Sequence, residues 1–345
     1  MCKETHLDSS NQGDALPTRN VSFRFGDLFP GFEGDSRTIS VPCYQDAVSM
    51  PAVARLIPKR EEGYVFQEDL LEGVLDYLSA PMNDALYIFG PSGSGKTSTV
   101  HQVAALAGWP VVEMTLNGRF EMTDLTGHNT IIRGEVNFVY GPLVRALKYG
   151  YILLLNEIDL ADPAELAGLN DVLEGRPLTI VQNNGEVITP HANFRMIVTA
   201  NTAGSGSEES YAGTRLLNPA FLDRFRFLES SYMPQEREER LLREQYPELG
   251  AGIAGAMVRT AAEIRRSHTC QEGTTVYMTI PMTTRALLRW AHLCQGGEGS
   301  PERIRQALDS SFGFRITREE RVYLHRIFED ILGNATAEEA QGRDK

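Results

Sequence analysis

The fold of this chain is decided by one stretch, Gly90-Pro91-Ser92-Gly93-Ser94-Gly95-Lys96-Thr97. It satisfies the pattern GxxxxGK[ST], and it lies between the apolar run Ala85–Phe89 and a segment of helical character that continues with Ser98. The glycines let backbone N–H groups face a phosphate, and the N-terminus of the next helix adds its positive dipole. Lys96 then reaches the outer phosphates and the Thr97 hydroxyl binds Mg²⁺. Residues 90–98 are therefore the predicted binding residues for ATP.

Five short apolar runs before and after this loop predict the strands of one parallel sheet. Segments long enough to form helices separate them, which is typical of an α/β fold whose sheet is buried on both faces. A helix over Phe66–Ser79, with leucines at helical spacing, is expected to lead into the first strand. The predicted strands are Ala85–Phe89, Val111–Leu116, Tyr151–Leu155, Phe194–Thr199 and Phe225–Leu228.

The chain changes character after Pro234, where helical patterns replace the strands. Ser300 before Pro301 predicts a helix start, and Thr317 with Glu320 predicts a capping box. We therefore expect a nucleotide-binding α/β domain over 63–234 and a helical lid domain over 235–332. An irregular N-terminal cap is expected over 21–62, where short β-type runs alternate with Gly and Pro. The polar ends, 1–20 and 333–345, are expected to be disordered.

Composition restricts the class of protein. The 345 residues are 42% hydrophobic and carry a net charge of −13, which disfavours nonspecific binding to nucleic acid. The purely apolar runs, such as Ile152–Leu155, are all far shorter than the roughly 18 residues of a membrane helix. The four cysteines form no CxxC pair, and the N-terminus lacks the apolar core of a secretory signal. A cytoplasmic protein without a membrane span is expected.

A second polar element follows the strand Tyr151–Leu155, where Asn156 and Glu157 take the position of a Walker B motif. A carboxylate at a strand end beside the phosphate loop can polarise a water in line with the γ-phosphate, so Glu157 is the predicted catalytic base. The neutral amide of Asn156 supports the water shell of Mg²⁺ less strongly than the usual acid, and Asp159 is a candidate to compensate. Thr97, Asn156 and Asp159 are the predicted metal-site residues, and Asn156→Asp is expected to strengthen the anchor.

The next strand, Phe194–Thr199, ends in Thr199-Ala200-Asn201-Thr202. A strand-terminal asparagine is often a turn former. Because Asn201 follows the strand after the Walker B element, we predict instead that its side chain senses the γ-phosphate.

Together these residues resemble the AAA+ ATPases, more narrowly the MoxR group, and most nearly the CobS-like AAA+ subunit of aerobic cobaltochelatase. The resemblance spans about 57–290. An ordered series of motifs is much more specific than the phosphate loop alone. The series is Gly63-Tyr64-Val65-Phe66, Gly90 to Thr97, Asn156-Glu157-Ile158-Asp159, Pro190-His191-Ala192-Asn193-Phe194-Arg195, Thr199-Ala200-Asn201-Thr202, Tyr211-Ala212-Gly213-Thr214 and Leu222-Asp223-Arg224-Phe225.

The resemblance implies an AAA+ P-loop core with a helical lid, assembled as a homo-oligomer, usually a hexameric ring with ATP between subunits. It assigns Asn201 as sensor 1, Arg224 as the arginine finger and Arg285 as sensor 2 on the lid. A guanidinium there would stabilise the charge that spreads over the phosphate oxygens during transfer. Surface ion pairing is the alternative for both arginines, and Arg215 and Arg226 are fallback candidates for the finger.

Two segments resemble the β-hairpin inserts of the MoxR group. One spans Thr130–Tyr140, and the other spans Leu178–Ile188 with a turn at Asn183-Asn184-Gly185. In that group the hairpins face the pore or the partner. Phe138 and Tyr140 either contact a client protein or pack the base of their hairpin, as strand aromatics commonly do.

Four functions remain open at this point. The first is an ATP-hydrolysing, Mg²⁺-dependent motor that remodels or activates a protein partner, typically one with a von Willebrand A domain, in metal chelation or metalloenzyme maturation. The second is a nucleic-acid motor, which the acidic charge disfavours. The third is a nucleotide-binding scaffold with weak turnover, which rests only on Asn156. The fourth is a small-molecule kinase, which would leave Arg224, the hairpins and the lid without a role.

Overall fold

The computed structural model describes residues 18–24, 26, 29, 34–44, 51–206, 213–269, 278–295 and 300–342. The strands are β1 (Thr18–Arg24), β2 (Thr38–Tyr44), β3 (Ala85–Phe89), β4 (Val111–Thr115), β5 (Gly127–Ile132), β6 (Glu135–Tyr140), β7 (Ile152–Asn156), β8 (Leu178–Ile180), β9 (Glu186–Ile188), β10 (Arg195–Ala200) and β11 (Phe225–Glu229). The helices are α1 (Pro51–Ala54), α2 (Glu68–Ser79), α3 (Lys96–Ala107), α4 (Met122–Thr126), α5 (Pro142–Tyr149), α6 (Pro163–Leu166), α7 (Asn170–Leu173), α8 (Pro219–Leu222), α9 (Gln235–Gln245), α10 (Ala251–His268), α11 (Thr284–Cys294), α12 (Pro301–Ser311) and α13 (Arg318–Gly342).

A five-stranded parallel sheet forms the centre, in the order β11-β3-β10-β7-β4. Each strand ends within one residue of its predicted run, so the predicted α/β class with a five-stranded parallel sheet is confirmed. The three inner strands β3, β7 and β10 are mainly apolar because both of their faces are covered, whereas the edge strands β4 and β11 also carry exposed charged residues. In β3, for example, Leu86 and Ile88 pack with α2 and α3, whereas Ala85 and Tyr87 pack in the core on the opposite face.

The cap is more regular than its sequence indicates. β1 and β2 form an antiparallel pair from Thr18 opposite Tyr44 to Arg24 opposite Thr38. Phe23 and Val41 are buried in the core that α2 and α3 share, so burial of alternate residues selects paired strands. The expected disorder over 1–20 is therefore wrong for residues 18–20, and residues 1–17 lie outside the described part.

Both predicted hairpin inserts are present. β5 and β6 pair antiparallel around Arg133 and Gly134, which adopt φ values of 54° and 86°. Two positive φ values in a two-residue loop match the twist of antiparallel strands. β8 and β9 pair in the same way, and Asn184 and Gly185 supply the positive φ values of their turn.

The C-terminal region is the predicted helical lid. Trp290, Phe312 and Phe328 are buried in a core of its own, built by α9 to α13. At the start of α13 the Glu320 carboxylate accepts a hydrogen bond from the Thr317 N–H at 2.8 Å, and the Thr317 hydroxyl accepts one from the Glu320 N–H at 3.2 Å, which completes the predicted capping box.

The expected disorder from residue 333 is wrong as far as Gly342, because α13 continues to that residue. The segment after Gly333 contains several Ala, Glu and Gln residues, which are good helix formers, and extending an existing helix needs no new nucleus. Among the described residues, no helix combines the length and the apolar character needed to cross a membrane.

Candidate nucleotide-binding site

The phosphate loop joins the carboxyl end of β3 to the first turn of α3. Gly90, Gly93 and Gly95 have φ values of 140°, 73° and 97°, in the region that favours glycine. A Cβ atom on Gly90 would lie 1.9 Å from the carbonyl oxygen of Ser230, and one on Gly93 would lie 2.8 Å from Cβ of Thr283. The loop is thus enclosed by the end of β11 and by the start of lid helix α11.

Two side chains from the approach to α2 also hold this loop. The Gln67 amide donates to the Ser94 carbonyl at 2.6 Å. The Tyr64 hydroxyl lies 2.8 Å from the Ser98 hydroxyl and 3.1 Å from that of Thr99. The motif at 63–66 therefore supports the loop and α3, a role that spacing alone did not indicate.

Lys96 lies inside the curve of the loop. Its Nζ donates to the carbonyls of Gly90 at 2.7 Å and Pro91 at 3.0 Å, and it lies 3.4 Å from Oδ1 of Asn201. Burial lowers the pKa of Lys96 to about 8, while the negative charges of Glu157 and Asp159 act in the opposite direction.

Asn201 bridges Lys96 and the predicted base. Its Nδ2 donates to Oε2 of Glu157 at 2.7 Å, and its Oδ1 faces Lys96. Burial, and next the charge of Asp159, raise the pKa of Glu157. Glu157 also has a φ of 57°, unusual for a residue other than glycine. The carboxyl ends of β3, β7 and β10 therefore bring a cation, an amide and a carboxylate together.

Thr97 and Asn156 are in direct contact. The Thr97 hydroxyl donates to Oδ1 of Asn156 at 2.8 Å, and the Thr199 hydroxyl donates to the same oxygen at 2.9 Å. Hydroxyl and amide oxygens are the hard ligands that Mg²⁺ and its bound waters accept. The residues present therefore fit Mg²⁺ beside the loop, and the glycine-bounded cradle fits phosphates.

Asp159 uses one carboxylate oxygen in hydrogen bonds to the segment after β10, and its other oxygen, Oδ1, is buried and has no hydrogen-bond partner among the described residues. Its side chain is fully buried, and Oδ2 accepts hydrogen bonds from the N–H groups of Asn201 and Thr202, each at 3.0 Å, and from the Thr202 hydroxyl. No hydrogen bond joins it to Thr97 or Asn156. Asp159 therefore holds the segment after β10, because backbone donors freed at the strand end need an acceptor.

The lid supplies a further cation. Arg285 lies in the first turn of α11, two residues after Thr283, whose side chain faces Gly93 of the loop. Its side chain is exposed and forms no hydrogen bond or ion pair with any described residue, and its charge lowers the pKa of Lys96 further. The predicted sensor 2 residue is thus close to the site.

Arg224 lies at the other end of the sheet. It directly precedes β11, whose first residue pairs with Ala85 at the start of β3, whereas the phosphate loop follows the end of β3. A five-residue strand spans roughly 16 Å. Arg224 is about one-quarter exposed and pairs with Glu174, so it is separated from the phosphate loop of its own chain.

The fallback arginines differ in position. Arg226 donates to Asp84 at 2.9 Å and lies over the ring of Tyr77, so its side chain is used in contacts within its own subunit. Arg215 pairs with Asp162 at 2.7 Å, and so lies near the carboxyl end of β7.

The hairpin aromatics pack inward. Phe138 and Tyr140 contact the main core, and the Tyr140 hydroxyl bonds to the Glu186 carboxylate of the second hairpin at 2.8 Å. Packing of the hairpin base is therefore what these two residues do. The most exposed apolar side chains of this hairpin, among the described residues, are instead Ile131 and Val136, at 74% and 70% exposure. Within the described residues, no group of three or more His, Cys, Asp or Glu side chains could hold a further metal ion.

Glu113 is a site residue that was not predicted from the sequence. Oε1 of this residue on β4 accepts a hydrogen bond from Nδ2 of Asn156, and Oε2 lies 3.0 Å from Nε2 of His101. An acid inside the apolar run Val111–Leu116 was the available signal, although the structure leaves Glu113 exposed, on β4 at the edge of the sheet.

Comparisons with known proteins agree with this arrangement. Residues 85–225 match the AAA domain of the dynein-related subfamily, and residues 238–328 match the CbbQ/NirQ/NorQ C-terminal domain. An AAA domain followed by this C-terminal domain is the arrangement of a MoxR-type AAA+ protein, which confirms the resemblance found in the motifs of the chain.

Individual relatives differ in how much of the chain they match. CobS, an aerobic cobaltochelatase subunit of a Sinorhizobium species, is 27% identical over 92% of this chain and 89% of its own length. An uncharacterized protein of Staphylococcus epidermidis is 30% identical over 48% of this chain and 62% of its own. The RuvB Holliday junction branch migration motor of Thermotoga maritima is 16% identical in structural alignment, covering 74% of this chain and 72% of its own, with a TM-score of 0.43.

Proposed function

We propose that this chain is an ATPase that hydrolyses ATP to ADP and phosphate with Mg²⁺. The observation that carries the proposal is the bridge by Asn201 between Lys96 and Glu157 at the open end of the phosphate loop. Lys96 binds the β- and γ-phosphates, Glu157 orients the attacking water, and Asn201 holds that carboxylate in line. Bound Mg²⁺ supplies positive charge to the phosphate oxygens, and Thr97 and Asn156 anchor it.

The active assembly that we propose is a homo-oligomeric ring, most simply a hexamer. Arg224 lies about a strand length from the phosphate loop of its own chain, so it can serve only a neighbour's nucleotide. In this proposal α11 carries Arg285 toward the same nucleotide from the lid. The boundary between an α/β unit over 63–234 and a lid over 235–332 belongs to the same proposal.

The proposed client is a protein, with a von Willebrand A domain protein as the partner and the cytoplasm as the location. Support comes from CobS, which matches this chain over most of its length and is itself a subunit of a larger enzyme. The exposed tip of the β5–β6 hairpin, with Ile131 and Val136 side by side in register, is the proposed contact surface. Action on metal chelation or metalloenzyme maturation is the process we propose, and the net charge of −13 disfavours a nucleic-acid motor.

Two substitutions test the ATPase. Lys96→Ala is expected to abolish binding of a fluorescent ATP analogue, because it removes the cation on the phosphates. Glu157→Gln is expected to retain binding and to lose about 100-fold or more in turnover, since it removes the base. The matched control is Asp76→Asn, a change of one exposed acid on α2, which should leave both unchanged. Undiminished hydrolysis by Glu157→Gln would remove Glu157 as the base.

A further inference from the structure

The side-chain amide of Asn156 has one defined orientation. An ionised carboxylate only accepts hydrogen bonds, so the contact with Glu113 requires the NH₂ group of Asn156 on that side. The Oδ1 atom must then face the hydroxyls of Thr97 and Thr199, which donate to it. Without Glu113, the two hydroxyls could bond to either end of the amide, because a hydroxyl both donates and accepts.

The charge of Glu113 is well placed to act through this amide. Its second oxygen is occupied by His101 at 3.0 Å, which leaves Oε1 for Asn156. The hydrogen bond from His101 lowers the pKa of the Glu113 carboxyl. In a chain of hydrogen bonds each member polarises the next, so a carboxylate behind the NH₂ group makes Oδ1 a stronger acceptor. The register supports this geometry, because Glu113 of β4 lies opposite Leu154 of the adjacent parallel strand β7, two residues before Asn156, so the two side chains lie on the same face of the sheet.

Resting on the proposed Mg²⁺-dependent function, we propose that Glu113 is a positioning residue for the metal site: with Asn156 it replaces the single acid of a usual Walker B motif. The carboxylate lies on the neighbouring strand β4, and the Asn156 amide transmits its polarising effect to the Thr97 hydroxyl. With Glu113 in this position, Asn156→Asp is expected to weaken the Mg²⁺ anchor, which is the opposite of the expectation from the sequence alone. An aspartate there would place a second carboxylate against Glu113, where two like charges repel and the hydrogen bond that the amide donates to Glu113 is lost.

The test measures how much Mg²⁺ is needed for binding of a fluorescent ATP analogue to the full chain, independently of turnover. Glu113→Gln should raise the half-saturating Mg²⁺ concentration about 10-fold or more, as removal of outer partners of metal ligands does. Asn156→Asp alone should also raise it. The double variant Glu113→Gln/Asn156→Asp, which moves the charge back to the usual position, should restore it toward the wild-type value. Asp76→Asn is the charge-matched control, and thermal unfolding without nucleotide confirms that each variant is folded.

The proposal is overturned if Glu113→Gln needs no more Mg²⁺ than the wild type, or if Asn156→Asp alone lowers the requirement. A double variant as impaired as the worse single variant would also overturn it, since a merely structural contact would not be rescued by moving the charge. The Mg²⁺ requirement for binding and the rate of ATP hydrolysis are measured separately, so failure of this proposal can be distinguished from failure of the ATPase proposal. A wild-type chain that binds the analogue with Mg²⁺ but never hydrolyses ATP contradicts the ATPase alone.

Discussion

The glycines of the phosphate loop show how single residues shape the site. Gly90 and Gly95 both have positive φ values, but their surroundings differ. A Cβ atom on Gly90 would overlap the Ser230 backbone carbonyl at 1.9 Å, whereas one on Gly95 would meet nothing closer than 3.7 Å. A comparison of the two positions therefore distinguishes the cost of a positive φ from the cost of a steric clash.

Gly90→Ala is expected to destabilise the protein more than Gly95→Ala does. Both pay about 1–2 kcal/mol for the left-handed backbone, and only Gly90→Ala adds a clash of about 1–3 kcal/mol with a backbone atom that cannot rotate away. Thermal unfolding of the two variants measures the difference, and Gly95→Ala is the matched control. Equal melting temperatures would show that the approach of Ser230 does not constrain the loop.

At the scale of elements, a chain of contacts joins the phosphate loop to the lid. The Tyr232 hydroxyl donates to the Ser92 carbonyl at 3.1 Å, and the Arg265 guanidinium lies 4.1 Å from the centre of the Tyr232 ring. Arg265 then binds both oxygens of Glu238, at 2.7 and 2.9 Å, and Glu238 also accepts from the Thr284 hydroxyl of α11 at 2.6 Å. This ion pair thus ties α9, α10 and α11 together beside the loop.

Glu238→Ala is expected to cost about 3–5 kcal/mol of stability, because it leaves Arg265 with its charge buried and unpaired. Glu238 is fully buried and Arg265 is 11% exposed. The control, Glu244→Ala on the same helix, breaks an exposed pair with Arg240 and should cost less than about 0.5 kcal/mol. Urea unfolding compares the two, and a loss below 1 kcal/mol in Glu238→Ala would contradict the structural role of the pair.

At the scale of the whole molecule, the separation of Arg224 from the phosphate loop predicts that ATP hydrolysis requires the proposed ring. Lys96→Ala has a defective nucleotide site and an intact arginine, while Arg224→Ala has the reverse. Each alone should be nearly inactive, because an arginine supplied in trans contributes about 10³-fold or more to phosphoryl transfer.

Mixed rings of the two variants contain some interfaces with both elements intact, so mixing should recover part of the ATP hydrolysis. Steady-state phosphate release at several protein concentrations measures this recovery, and wild-type activity should also rise with concentration as rings form. If Arg224→Ala alone forms rings and turns over ATP normally, another arginine is the finger, and Arg215 is the next to substitute, since Arg226 is held by Asp84.

Much of this protein follows from local sequence. The phosphate loop, the five strands of the parallel sheet and the two hairpins were predictable, because glycines, apolar runs and turn pairs each indicate the backbone conformation of their own segment. The same local signals failed at the chain ends. There, pairing of β1 with β2 and continuation of α13 depend on elements that are already formed.

Contacts between distant segments were decided by the tertiary structure alone. Glu113 meets Asn156 across 43 residues because the order of the sheet makes β4 and β7 neighbours, and nothing in either segment specifies that order. The same order turns Asp159 to the backbone after β10 and leaves Arg224 at the end of the sheet opposite the phosphate loop. Local sequence patterns are enough to specify a nucleotide loop on a parallel sheet. Only the fold decided which side chains complete it, because side-chain partners depend on the register between strands, and register is a property of the packed sheet.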